Sequence, residues 1–183
     1  ADVIQAVVNK SYVIDPRITL GYAVVRGGKT VATGWALNEV TVEREKATMV
    51  ELFLEIDNRP ISRWGCDGLI CSTPTGSTAY SLSCGGPIVT PNSNNFILTP
   101  ISAHNLTARP LVIGDTSTVK LRAECRSGQI QVTLDSTQYV VDGGAEITLS
   151  RAPFELQMIL LEGRNFFRTI RKKMGWGLDI RID

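Results

Sequence analysis

The chain has 183 residues, 43% of them hydrophobic, with a formal net charge of +1 and a mean hydropathy of +0.05. That length suits one domain with a substantial core, and the near-zero charge removes any bulk argument for binding nucleic acid or an acidic membrane surface. No apolar run approaches the ~18 residues of a membrane-spanning helix, and Asp2, Lys10, Asp15 and Arg17 interrupt any signal-peptide core near the start.

The first element is a helix expected over "DVIQAVVNK". Beyond it the dominant signal is strict period-two alternation, the signature of strands with one buried face. In "MVELFLEI", Val50, Leu52, Leu54 and Ile56 face one way. In "TVKLRAEC" the set is Val119, Leu121, Ala123 and Cys125, with Lys120, Arg122, Glu124 and Arg126 opposite. "GQIQVTLD" repeats the pattern with Ile130, Val132 and Leu134. Gly27-Gly28, Asp57-Asn58, Ser127-Gly128 and Asp142-Gly143-Gly144 supply tight turns. No repeat of 20–50 residues is present, which argues against a propeller or solenoid.

Between these strands lies a segment of another kind. From Leu69 to Ala108 there is no Asp, Glu, Lys or Arg, and "STPTGSTAYSLSCGG" at 72–86 is dense in hydroxyls. It reads as a strand, a tight loop and a helix over Thr75 to Ser83, ended by Gly85-Gly86-Pro87. Pro74 fixes φ and Gly76 lets backbone approach closely, so the corner suits a ligand rich in oxygen and nitrogen. It is not a Walker A loop, because GxxxxGK[ST] and a nearby Lys are missing. A serine hydrolase is disfavoured, since "TGSTA" lacks the GxSxG elbow and His104 is the sole histidine.

A third helix is expected in "EGRNFFRTIRKKMG", with Phe166, Phe167, Ile170 and Met174 among Arg164, Arg168, Arg171, Lys172 and Lys173. Docking on an adjacent domain is preferred over a membrane surface for this basic amphipathic segment. Cys66, Cys71, Cys84 and Cys125 fit neither CxxC nor a disulfide framework, so buried free thiols in a cytoplasmic protein are expected. The fold class is mostly β: an antiparallel β-sandwich with a few peripheral helices.

The stretch "GCDGLICSTPTGSTAYSLSCGGPI" resembles the central signature of the NAD kinases, and the likeness extends through "ALNEVTVER" and "LTPISAHNLTARPLVI", over roughly residues 15–175. The resemblance implies transfer of the γ-phosphate of ATP to the 2′-hydroxyl of the adenosine ribose of NAD, giving NADP, with Mg²⁺ or another divalent cation accompanying ATP. Asn38 and Glu39 would reach the ribose and phosphate region. Thr75, Thr78, Ala79, Tyr80 and Ser83 would line the base and nicotinamide pockets. Asp67 would bind an amide or amino group, often across a subunit boundary. Asp135 is a possible further member, although Ser136 follows it where the family usually has Gly.

The family's Gly-Gly-Asp-Gly motif belongs to an N-terminal domain that would precede residue 1, so no catalytic residue is assigned within this chain. "GCDG" at 65–68 matches the family's other Asp-Gly pair by its position before TPTGSTAY. The implied organisation is a remnant helix at 1–14, an NAD-binding β-sandwich at 15–152, and a C-terminal strand and helix at 153–183 that would dock on the N-terminal domain. Expected partners are NAD, NADP and ATP, with self-association into homodimers or homotetramers. Alternatives are a non-catalytic dinucleotide-binding module and a lipid kinase of the same two-domain plan.

Overall fold

The computed structural model describes residues 3–46 and 48–176. Asp2 of the expected first helix, and 177–183 of the expected C-terminal segment, lie outside the described residues. By its internal contacts the chain divides into two units, one of residues 18–156 and one of residues 1–17 with 157–183.

Among the described residues, twelve strands form two six-stranded sheets. In chain order they are β1 (Tyr12–Arg26), β2 (Lys29–Ala36), β3 (Glu39–Arg44), β4 (Val50–Ile56), β5 (Arg59–Cys66), β6 (Gly68–Ser72), β7 (Asn95–Ile101), β8 (Leu111–Gly114), β9 (Val119–Cys125), β10 (Gln129–Leu134), β11 (Thr137–Asp142) and β12 (Glu146–Leu161). One sheet runs β2-β1-β12-β9-β4-β5, the other β11-β10-β3-β6-β7-β8. The expected β-sandwich is the observed fold.

In unit 18–156 the alternation works as the sequence requires. Val50, Leu52, Leu54 and Ile56 of β4 are all buried, with half-exposed residues between them. Leu52 stands opposite Ala123 and Leu54 opposite Leu121, so apolar pairs stack across the β4–β9 ladder. The other sheet contributes Val40, Val42, Leu69, Cys71, Phe96, Leu98, Ile130 and Val132 to the same core. The turns lie where the residue types allow: Gly27, Gly28, Asp57, Asn58, Gly128 and Gly144 all take positive φ. Asp57-Asn58 joins β4 to β5, and the Asp57 carboxylate accepts from Thr118 N–H at 2.9 Å.

β6 and β7 obey a different rule. Every residue of β6 and all but the first of β7 are buried. Their core-facing residues are Leu69, Cys71, Phe96 and Leu98, while Ile70, Ile97 and Thr99 are buried outside that cluster. These two strands are covered on both faces, which excludes charge from them and accounts for much of the uncharged run. Residues 72–86 supply part of the outer cover through a short helix, α2 (Tyr80–Ser83), which packs on β6.

Among the described residues, the unit of residues 1–17 and 157–183 carries two α-helices. Helix α1 (Val3–Val8) exposes Val3, Ile4, Val7 and Val8. Helix α3 (Phe166–Met174) is capped by Asn165, whose side chain accepts from Arg168 N–H at 2.8 Å. It ends at Gly175 with φ of +65°, the left-handed closure that glycine favours. Arg171, Lys172 and Lys173 occupy its last turn, where cations oppose the helix dipole. Ile170 is buried and Phe167 is exposed.

Candidate functional site

Two segments far apart in sequence are joined at the start of β3. Thr73, fully buried, donates through Oγ1 to the Leu37 carbonyl at 2.6 Å. Its backbone N–H donates to the Asn38 carbonyl at 2.8 Å. The same Thr73 Oγ1 accepts from Gly76 N–H at 3.1 Å, closing the loop on itself. Gly76 then lies so close to Asn38 that a Cβ would fall 2.1 Å from the Asn38 carbonyl oxygen. The glycine is required here by contact and not by φ.

The helix expected over Thr75 to Ser83 is instead two short pieces. A 3₁₀ turn spans Gly76–Thr78, and α2 follows after a break at Ala79, which has φ −98° and ψ −131°. Neither piece has a side-chain cap. The hydroxyls bind the segment together. Ser77 Oγ donates to the Pro74 carbonyl at 2.7 Å and accepts from Val89 N–H at 3.1 Å. Ser81 and Thr99 share a hydrogen bond of 2.8 Å between α2 and β7. Gly86 packs here, since a Cβ on it would meet Ser81 Oγ at 2.3 Å.

With Thr73, Ser77 and Ser81 buried in this scaffold, Thr78, Tyr80, Ser83 and Gly85 are exposed, and Thr75, Ala79, Leu82 and Cys84 are half-buried. The five residues of this segment singled out from the sequence, Thr75, Thr78, Ala79, Tyr80 and Ser83, are among these accessible ones. Tyr80 is 42% exposed, and its hydroxyl is hydrogen-bonded to Cys84. Burial raises the Cys84 thiol pKa, and the negative charges of Glu43 and Glu39 push it further against that hydrogen bond. Cys66 and Cys71 are pushed up to about 11 and about 12, chiefly by burial. All four cysteines are free, and for these three the raised pKa disfavours the thiolate.

On β3, residues Glu39, Thr41 and Glu43 alternate with core-facing Val40 and Val42. Glu39 is buried, with its Oε2 without a hydrogen-bond partner. Its carboxyl is pushed up to about 7 by burial first and by the negative Asp135 second, against the backbone N–H of Tyr80 that bonds it. Near neutrality Glu39 therefore offers both a donor and an acceptor, a pairing suited to sugar hydroxyls. Asn38 is half-buried beside it. Glu43 accepts from Gln131 at 2.8 Å; sequence reading passed over it, although the alternation of β3 places it on the face of Glu39.

Asp135 opens the two-residue turn between β10 and β11 with φ of +49°. Ser136, in place of the family's usual glycine, is absent from the positive-φ positions, so its side chain meets no left-handed strain. The Asp135 carboxylate faces the backbone of 37–39. It accepts from Leu37 N–H at 2.9 Å, Asn38 N–H at 2.8 Å and Glu39 N–H at 3.1 Å. Asp67 stands apart at the β5–β6 junction, paired with Arg44 at 3.1 Å. Its charge is nonetheless among those that raise the Tyr80 phenol, after burial, Cys84 and Glu43.

The candidate surface combines buried Glu39 with half-buried Asn38, Thr75 and Ala79 and exposed Thr78, Tyr80 and Ser83. Two clefts elsewhere measure about 430 Å³ beside Phe53, Arg63 and Arg122, and about 300 Å³ beside Trp35 and Phe154. Neither is lined by any residue of 72–86. The buried Glu39 carboxyl, pushed up to about 7, belongs to the surface of 37–39 and 75–83 and lines neither cleft.

Comparison with known proteins identifies relatives of this chain. Residues 37–161 match the ATP-NAD kinase C-terminal domain. The chain is 39% identical over 180 residues to an NAD kinase of Christiangramia forsetii and 40% identical over 180 residues to one of Flavobacterium johnsoniae. In both cases 97% of the chain is covered, and it spans 61% of the relative's length. Among solved structures, yeast NADH kinase complexed with NADH superposes with a TM-score of 0.89 at 26% identity, covering 99% of this chain and 54% of that one. An NAD kinase from Archaeoglobus fulgidus in complex with ATP gives 0.73 at 28% identity, covering 95% and 64%. The chain belongs to the ATP-NAD kinase family, of which it is the C-terminal domain.

Proposed function

We propose that this chain is the dinucleotide-binding wall of an enzyme that transfers the γ-phosphate of ATP to the 2′-hydroxyl of the adenosine ribose of NAD, yielding NADP and ADP. The observation that carries this reading is the junction of Asn38-Glu39 with 73–80. A buried carboxyl, a half-buried amide and an exposed aromatic converge there on one surface. Asn38 and Glu39 hold the ribose and phosphate region. Thr75, Thr78, Ala79, Tyr80 and Ser83 receive the base and nicotinamide, Tyr80 by stacking. Asp67 takes an amide or amino group of the dinucleotide, reaching it from a neighbouring copy.

In the transfer, the 2′-oxygen bonds to the γ-phosphorus as the bond to the ADP oxygen breaks, and the hydroxyl proton passes to a base. This chain's part is to bind and orient the acceptor. The relatives are longer than this chain, which spans 61% of their length, and none of its residues is assigned as the proton acceptor. Bound with ATP, Mg²⁺ or another divalent cation would neutralise phosphate charge. Among the described residues no three His, Cys, Asp or Glu side chains are placed to hold a metal, so no step here is assigned to it. The free thiols support a cytoplasmic setting. Among the described residues no helix is long and apolar enough to cross a membrane.

Saturating NAD, at ~100 times Kd, is expected to stabilise the chain by about 2.7 kcal/mol, raising its unfolding temperature by roughly 5 to 10 °C for this size. Tyr80→Ala is expected to lose most of that shift. An equal shift in the variant would remove Tyr80 from the site.

Copies of the chain are also expected to associate. Strands β2, β5, β8 and β11 are sheet edges, and β11 exposes Tyr139 and Val140 without a charged residue before Asp142. Light scattering at micromolar concentration should report a dimer or larger; a monomer would contradict the expectation.

A further inference from the structure

Resting on the dinucleotide reading, we infer that Asp135 is a positioning residue that clasps the backbone of Leu37, Asn38 and Glu39 and so fixes the ribose-reading pair in its binding geometry. Three successive amides point into one concavity, an arrangement that in other settings receives an anion. Here the anion is the chain's own carboxylate. Oδ1 takes Asn38 and Glu39, and Oδ2 takes Leu37.

A fourth bond runs the other way, from Asp135 N–H to the Glu39 carbonyl at 3.0 Å. The β10–β3 ladder ends beside it at Leu134 opposite Val40, so the turn that carries Asp135 is anchored in the sheet. Residues 37 and 38 fall between β2 and β3 and belong to neither strand. Without the carboxylate, the Leu37 and Asn38 amides lose the partner that sets their direction. With both oxygens so engaged, Asp135 acts on ligand through Asn38 and Glu39 and not by contact.

The clasp has an electrostatic signature that mere support of the turn lacks. Glu39 is faced by Asp135 from the β10–β11 turn, by Tyr80 N–H at the start of α2 and by Cys84 just past its end, and shares its own strand with Glu43. Removing the Asp135 charge lowers the pH at which Glu39 titrates, while burial still holds it above an ordinary carboxyl.

The test uses this chain with Asp135→Asn and Asp135→Ala. Calorimetry reads NAD affinity, and carboxyl NMR reads the Glu39 titration. Asparagine keeps Oδ1 for Asn38 and Glu39 but sets an N–H₂ against Leu37 N–H. Alanine keeps nothing. The expected result is a Kd weakened about tenfold by alanine and less by asparagine, as follows from losing hydrogen bonds to a charged group, with Glu39 titrating lower in both. Should the alanine variant not fold, the asparagine variant decides alone. Wild-type affinity in a folded variant, or an unmoved Glu39 titration, would overturn the proposal. If the wild-type chain binds no NAD, the dinucleotide reading itself falls and takes the proposal with it.

Discussion

Gly76→Ala is expected to cost about 3 kcal/mol of stability and to abolish most dinucleotide binding. The added Cβ would fall 2.1 Å from the Asn38 carbonyl oxygen, 2.4 Å from its carbon and 2.7 Å from its Cα. All three are backbone atoms, so no side-chain rotation relieves the clash, and overpacking of this kind costs roughly 1–3 kcal/mol. Either the 73–76 loop lifts away, breaking the Thr73 and Gly76 bonds, or Asn38 moves and carries Glu39 with it. Both responses disperse the proposed ribose-reading pair. Gly114→Ala is the control, because its Cβ would meet only Thr116 Oγ1 at 3.7 Å. Urea unfolding of both variants checks the difference; equal midpoints would show that the loop does not press on Asn38.

The second large effect concerns pH. Glu39 has a folded-state pKa of about 7 against an ordinary value of 4.5, so the folded chain holds this proton more tightly than the unfolded chain does. Its stabilising contribution is fully present below about pH 4.5 and is lost as pH rises to about 7 and beyond. Glu39→Gln imitates the protonated form and should remove that loss. At pH 8 the variant is expected to be more stable than the wild-type chain by about 3 kcal/mol, each tenfold change in proton affinity being worth about 1.4 kcal/mol. Near pH 4 the two should converge. Unfolding curves at several pH values would read this directly, and parallel pH profiles would show that Glu39 is ionised without penalty. NAD affinity should nonetheless fall in the glutamine variant, because an amide cannot exchange donor for acceptor as the carboxyl can.

These two residues illustrate what was legible in the sequence. The strands β4, β9 and β10 follow from alternation because each has one face in the core and one in water. The turns follow from Gly, Asp and Asn at positions that need positive φ. β6 and β7 give no alternation because both faces are covered, and the sequence shows this only as a missing charge. The 75–83 helix was overextended because local propensity says nothing of the Gly76–Asn38 approach that confines its start to one 3₁₀ turn. Hydroxyl density draws attention to 72–86, but a sequence does not separate Ser77 and Ser81, which are buried, from Thr78 and Ser83, which are exposed. The Asp135 clasp was least visible. Its bond to Asn38 joins residues 97 apart in the chain, and its carboxylate meets backbone amides, which every sequence position carries alike.

The central claim is that NAD rests on the surface where residues 37–39 meet 75–83. The most direct measurement is the change in backbone amide NMR shifts on titrating NAD into this chain. The account predicts saturable changes centred on Asn38, Glu39, Thr78, Tyr80 and Ser83, with the β4–β5 face around Phe53 unmoved. Saturable changes centred on the Phe53 or Trp35 clefts, or none at millimolar NAD, would contradict it.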